Sequence, residues 1–160
     1  MALQTINNEY LSKHSMFGGL SASELDLIRP YLQSGNYPKG SAILRQGNEN
    51  STVYFIVEGK VAIQKATEDE TQKVRHITTL AEGDSFGEME LIDVQPCAAS
   101  VVCLTDTQTI SLSNHALYLL SQSHLSVFTR IIMNLARDIS RRLRSTDNLL
   151  AMMAKSNTIE

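Results

Sequence analysis

The chain has 160 residues, 42% hydrophobic and 19% charged, an ordinary globular composition with room for one core and an appendage rather than two full domains. Its formal charge of −3 is unevenly laid out: residues 1–129 carry 8 basic and 14 acidic side chains, residues 130–160 carry 6 basic and 3 acidic, giving an acidic body and a basic tail. No apolar run is long enough to cross a bilayer and MALQTINNEY lacks the charged start and apolar stretch of a secretion signal, so the expected location is the cytoplasm, with Cys97 and Cys103 as free thiols.

In LSASELDLI, Ser21 stands three residues before Glu24, the spacing at which each side chain reaches the other's backbone N–H, and Leu20 and Leu25 hold staple positions. A short helix is predicted from about Ala22, with Leu25, Ile28 and Leu32 as its buried stripe and Pro30 kinking or ending it. From Gly35 onward, glycines separate short β-branched or aromatic segments, which is all-β texture. TVYFIVEGKVAIQKA predicts two strands, 52–57 and 60–66, joined by a tight turn at Glu58-Gly59, where glycine takes a positive φ without cost. EDETQK reads as a charged hairpin loop, and VRHITTL alternates as a half-buried strand does. AASVVCLT and TQTISLS supply two more strands, for about eight in all, which suggests a sandwich or jelly roll.

At Asn114 the period turns helical. HALYLLSQS predicts a shorter helix, and a long one follows from about Ser126. Phe128, Ile132, Leu135, Ile139, Leu143, Thr146, Leu150 and Met153 keep to one face of it, at steps averaging about 3.5 residues. The body can cover only the first part of this stripe, and a second copy is the natural cover for the rest. The open alternative is fraying beyond Arg144, because RSTDN is poor helix material. Two regions are therefore expected, a body over 1–125 and a dimerisation helix with its tail over 126–160. The arginines of the tail lie on a helical pattern without interleaved aromatics, so they read as solvated or inter-subunit charge, and nucleic acid is not an expected partner.

FGEMELIDVQPCAASV carries the candidate site. A strand ending at Phe86 and a helix opening at about Gly87 leave backbone N–H groups pointing one way, with the positive end of the helix dipole behind them, an arrangement that favours an anion. Gly87 permits close approach to the backbone. Glu88, an acceptor-only group when ionised, suits a sugar hydroxyl, and equally suits a helix start favoured by the dipole. Cys97 after Pro96 admits three readings: a small apolar filler, a redox thiol favoured by the helix start, or a haem or metal ligand with His76 or another histidine. No C-x-x-C or H-x-x-x-H spacing supports the metal, and His14, His76, His115 and His124 are scattered. There is no nucleophile elbow, P-loop or cluster of metal ligands, so neither catalytic residues nor an enzyme is expected.

In order and spacing, MFGGLSASELDLI, YPKGSAILRQGNENSTVYFIVEGKVAI and GDSFGEMELIDVQPCAASV resemble the cyclic nucleotide-binding domain family of the catabolite activator protein and the protein kinase A regulatory subunit, over nearly the whole chain. The resemblance implies a mainly β fold with flanking helices: a β-roll (double-stranded jelly roll) of about eight strands, an N-terminal helical lead-in, a short phosphate-cassette helix and a long C-terminal helix. It implies a ligand site at Phe86, Gly87, Glu88, Met89, Cys97, Ala98 and Ser100, with Glu88 holding the ribose 2′-OH. In the family pattern an arginine follows the proline and pairs with the cyclic phosphate, and the position two after the glutamate is small and neutral. Here those positions are Cys97 and Glu90, a degenerate cassette, with Lys60, Arg75 or an arginine of a partner helix as candidate replacements for the lost cation.

The function implied is a regulatory or sensor module, dimeric through its C-terminal helix, for which a cyclic nucleotide is the candidate ligand but tight binding of cyclic AMP or cyclic GMP is not expected. Two rivals stay open, a ligand-free scaffold of the same fold that meets a protein partner, and a redox or haem sensor working through Cys97. The chain ends where the family's transcription factors carry a helix-turn-helix module, so DNA binding of that kind is not expected.

Overall fold

The computed structural model describes residues 7–67 and 73–156. Helix α1 (Asn8–Lys13) starts where the Asn7 side chain accepts a hydrogen bond from the Tyr10 amide at 2.8 Å, and it buries Leu11. A 3-10 turn (Ser15–Phe17) then buries Met16 and Phe17. Helix α2 (Ala22–Ile28) carries the expected reciprocal cap: the Glu24 amide donates to Ser21 Oγ at 3.3 Å and the Ser21 amide donates to Glu24 Oε2 at 2.7 Å. Leu25 and Ile28 are buried as predicted, and Pro30 falls in a 3-10 turn (Arg29–Tyr31) that ends the helix.

Eight strands follow: β1 (Leu32–Tyr37), β2 (Ala42–Leu44), β3 (Thr52–Glu58), β4 (Lys60–Ala66), β5 (Val74–Ala81), β6 (Ser85–Phe86), β7 (Ser100–Cys103) and β8 (Thr107–Ser113), with helix α3 (Glu88–Asp93) between β6 and β7. They form two four-stranded sheets, ordered β1-β8-β3-β6 and β2-β7-β4-β5. The predicted strands around Glu58-Gly59 exist, but they do not pair with each other: β3 pairs with β8 and β6, and β4 with β7 and β5. The register shift between Ile56 and Glu58 turns the end of β3 out of its sheet, so Gly59 is the corner where the chain passes from one sheet to the other. Its φ of +99° excludes most side chains, and a Cβ there would lie 2.5 Å from the Asp106 carbonyl oxygen.

A second expectation also changes. VRHITTL is strand β5, paired with β4 through a register shift at Ile63/Gln64 that leaves Ile77 unpaired, but it is an edge strand, and Val74 and Ile77 are exposed rather than half buried because among the described residues no strand pairs on its other side. Part of the charged loop between β4 and β5 lies outside the described residues.

Helix α4 (Asn114–Ser123) begins at Ser113, whose Oγ accepts from the Ala116 amide at 3.1 Å, and His124 separates it from the long helix α5 (Leu125–Ser156). The helix therefore continues through Arg144 and the residues after it rather than ending there. Alternation along β3 divides the core in two. Val53 and Phe55 face the helices, in a cluster with Leu11, Phe17, Leu25, Leu117, Ile131 and Leu135, whereas Ile56 faces the other sheet, in a cluster with Leu44, Val61, Phe86, Cys97, Val101 and Cys103. The layers are thus helices, sheet and sheet. Val127, Ile131 and Leu135 bury the first part of α5, while Leu143, Leu149 and Leu150 beyond it are exposed. Among the described residues no helix is long and apolar enough to cross a membrane.

Candidate functional site

The site begins where β6 ends. Phe86 is buried with its ring stacked on Tyr54, centroids 5.1 Å apart and planes at 9°. Gly87 then turns the chain into α3 with φ +83°; a Cβ would lie 2.5 Å from the Thr52 carbonyl oxygen and 2.9 Å from Asn50 Nδ2. Only glycine fits both restraints. Helix α3 ends at Val94, which takes the left-handed conformation itself, with φ +56°, although β-branched residues disfavour it.

Glu88, the first residue of α3, is 4% exposed. Its Oε1 accepts from Arg142 Nη1 of α5, while Arg142 Nη2 donates to the Ser85 carbonyl oxygen and, at 3.4 Å, to Ser85 Oγ. Glu88 Oε2 is buried without a hydrogen-bond partner. Burial pushes the Glu88 carboxyl above the usual carboxylate range, Arg142 and a backbone amide oppose that, and Glu90 and Asp138 add to it. The cation that meets Glu88 is therefore Arg142, an arginine of the tail that the sequence pattern suggests is solvated or inter-subunit.

Two residues on, Glu90 is also buried, with Oε1 accepting from the Ala98 amide at 3.3 Å. Its side chain turns into the site and not out to water. Cys97 is 3% exposed and belongs to the inter-sheet cluster. Its amide donates to the Asn48 carbonyl oxygen and its carbonyl oxygen accepts from the Gly47 amide, both at 2.8 Å. Burial and the Glu90 carboxylate push its thiol up, opposite to the shift expected from a helix start. Ser100 Oγ accepts from the Gln46 amide at 2.9 Å.

Phe86 and Cys97 share the inter-sheet cluster, Gly87 and Glu88 carry the chain from Phe86 into α3, and Ser100 is half-buried against Gln46, whereas Met89 is 53% exposed and Ala98, also exposed, takes part through its backbone. Asn48, Asn50 and Arg142 escape sequence reasoning. Arg142 stands 54 positions from Glu88, and no local spacing signals a contact across that distance. Two surface clefts lie elsewhere, one lined by Lys65, Ala66, Thr67, Arg75 and Ile77 and the other by residues of α1 and its two caps, Asn7 and His14, with Glu82 and Gly83. Among the described residues no group of three or more histidine, cysteine or acidic side chains could hold a metal ion.

Two four-stranded sheets with a glycine-led helix between β6 and β7 form a β-roll, and comparison with known proteins gives its family. The family model for the cyclic nucleotide-binding domain matches residues 35–124, and the chain belongs to that family. It is 31% identical over 142 residues to the cyclic AMP receptor protein of Thermus thermophilus, covering 87% of this chain and 62% of that one. It is 28% identical over 144 residues to the CRP-like cAMP-activated global transcriptional regulator of Mycobacterium tuberculosis, covering 90% of this chain and 62% of the other. The chain therefore spans about three fifths of the length of these two relatives. The solved structure of a cyclic nucleotide-binding domain from Methylobacillus flagellatus superimposes with a TM-score of 0.80 at 26% identity, covering 90% of this chain and 80% of that one.

Proposed function

We propose that the protein is a non-enzymatic regulatory module whose nucleotide site holds cyclic AMP and cyclic GMP weakly or serves an altered ligand. The observation that carries this reading is the Glu90–Ala98 bond beside Cys97: the amide next to the post-proline position is engaged by the chain's own carboxylate, and a thiol stands where an anion would need a cation. The residues present do not fit a cyclic phosphate. Loss of one partner of a desolvated charge pair costs about 2–5 kcal/mol, roughly thirty- to several-thousand-fold in affinity. The names of the two relatives, a cyclic AMP receptor and a cAMP-activated transcriptional regulator, support a role in signal transduction. A second copy covers the exposed far half of α5, and the module works in the cytoplasm.

Calorimetry with each cyclic nucleotide tests the reading, with no submicromolar binding expected; tight binding of either would overturn it. Cys97→Arg combined with Glu90→Ala is expected to create or strengthen cyclic-nucleotide binding, because a bidentate guanidinium adds charge-assisted hydrogen bonds of about 1.5–3 kcal/mol each. That gain should weaken as salt is added. A variant that melts cooperatively yet binds no better than the parent would favour the ligand-free scaffold. That second reading has its own support in the internal satisfaction of the loop, since the Cys97 amide, the Cys97 carbonyl and the Ala98 amide all have partners within the chain. The redox reading is disfavoured by the burial of Cys97 and the upward shift of its thiol.

A further inference from the structure

The sheet β2-β7-β4-β5 ends at β5, a strand of 8 residues that has a neighbour on one side only. Along its other side the backbone turns N–H and C=O groups outward, and among the described residues no strand meets them. Lys65 of β4 and Arg75 of β5 stand directly opposite each other, and with Ala66, Thr67 and Ile77 they line a surface cleft. Like charges in that register repel. Among the described residues neither of the two has an ion pair, so the repulsion is not relieved within the chain. Val74 and Ile77 add exposed apolar surface to the same strand.

A second copy is a poor occupant for this edge. From Lys73 to Ala81 the sequence carries two basic residues, Lys73 and Arg75, and no acidic one, so pairing two β5 edges sets cation against cation. A segment with acidic side chains brings the opposite sign. We propose that β5 docks an extended segment of a partner protein in which acidic and apolar side chains alternate, adding it as a further strand to this sheet. Successive side chains of β5 point to opposite faces. The partner's carboxylates therefore come to Lys65 and Arg75 on one face, while its apolar side chains cover Val74 on the other. Ile77, which the register shift leaves unpaired, lines the cleft with Arg75 and adds apolar contact there. Backbone hydrogen bonds supply affinity and the facing cations select the partner. No residue of this surface belongs to the α3 site, so docking does not require a bound nucleotide.

Titration of the full chain with the blocked peptide Glu-Val-Glu-Val-Glu-Val, followed by NMR, tests this. Saturable shifts confined to β4 and β5 are expected, with slowed deuterium exchange at the β5 amides that point away from β4. Lys65→Glu combined with Arg75→Glu, both at exposed positions, should weaken binding of that peptide by about tenfold or more. The same variant should gain binding of Lys-Val-Lys-Val-Lys-Val, which an unfolded chain cannot do. A form of the acidic peptide methylated on alternate backbone nitrogens should not bind, and inorganic phosphate at equal ionic strength should give no protection. The docking role is overturned if the acidic peptide leaves β5 unchanged or if charge reversal does not switch the peptide preference. It is equally overturned if the methylated peptide binds as well, if phosphate alone reproduces the shifts, or if the β5 amides of the parent lose protection on dilution, as pairing between copies would require.

Discussion

At the scale of single residues, His14 is the most exacting position after the site itself. It is 3% exposed at the end of α1, with its ring 5.1 Å from that of Phe55, near Tyr10 and Phe17, and both ring nitrogens lack partners. Burial lowers its pKa, and Asp138 on α5 and Asp84 before β6 pull the other way with less effect. The imidazole is therefore neutral in the fold, while in the unfolded chain it titrates near its ordinary value of about 6.5. The unfolded state takes the proton first, so this contribution to stability is complete above about pH 6.5 and is lost as pH falls towards the folded value. The urea midpoint should drop between about pH 7 and pH 5, and His14→Phe should flatten that slope; an equal slope in both proteins would remove His14 as its source. Ser21, Glu24 and Gly87 were legible from sequence because their partners lie within a few residues or in the backbone itself. The inward turn of Glu90 was not, since a helix of six residues presents it to either side with equal ease. Nor was the reach of Arg142, which depends on where a helix from the far end of the chain comes to rest.

At the scale of elements, α5 shows two faces with different periods of use. Arg130, Asn134, Asp138 and Arg142, spaced four apart, form a polar ladder: Arg130 donates to the Gly19 carbonyl oxygen, and Asn134 Nδ2 donates to those of Met16 and Gly18, both at 2.9 Å. Asp138 accepts from Ser15 Oγ at 2.6 Å, and Arg142 enters the site. One face of one helix therefore grips the N-terminal turn and the candidate site together. The apolar stripe was legible only in part. Leu135 is buried as expected, but Phe128, Ile132 and Ile139 are half-buried while Val127 and Ile131, outside the expected stripe, fill the core, because the local period fixes a face only to within a residue. The ladder was not legible, because most of its partners are backbone carbonyl groups that no side-chain pattern reveals. Beyond the ladder, Leu143 and Leu150 are 60% and 59% exposed. If a second copy covers them, the parent should sediment at about twice 17.7 kDa at micromolar concentration, and Leu143→Asp with Leu150→Asp should give the single mass. A parent that stays monomeric at high concentration would end the argument. Strand positions, too, could be read from alternation and glycines, but partners could not: β3 and β4 are neighbours in sequence and belong to opposite sheets.

At the scale of the whole molecule, the order helices, sheet, sheet follows from β3 being apolar on both faces, a signature of a central layer that composition alone suggested only as a roll. The two cores are chemically unlike. The layer between the sheets holds both cysteines, 3% and 2% exposed, and the layer under the helices holds none. A thiol-alkylating reagent therefore reads the opening of one layer and is blind to the other. Native protein should be alkylated far more slowly than its urea-unfolded form, and reaction at the rate of a free thiol would show that the sheets already part in the folded state. Comparing the alkylation rate with that of global unfolding tells whether the two layers open together or in turn. The pair of cysteines is a built-in clock, started by whatever separates the sheets and indifferent to movements of the helices above them.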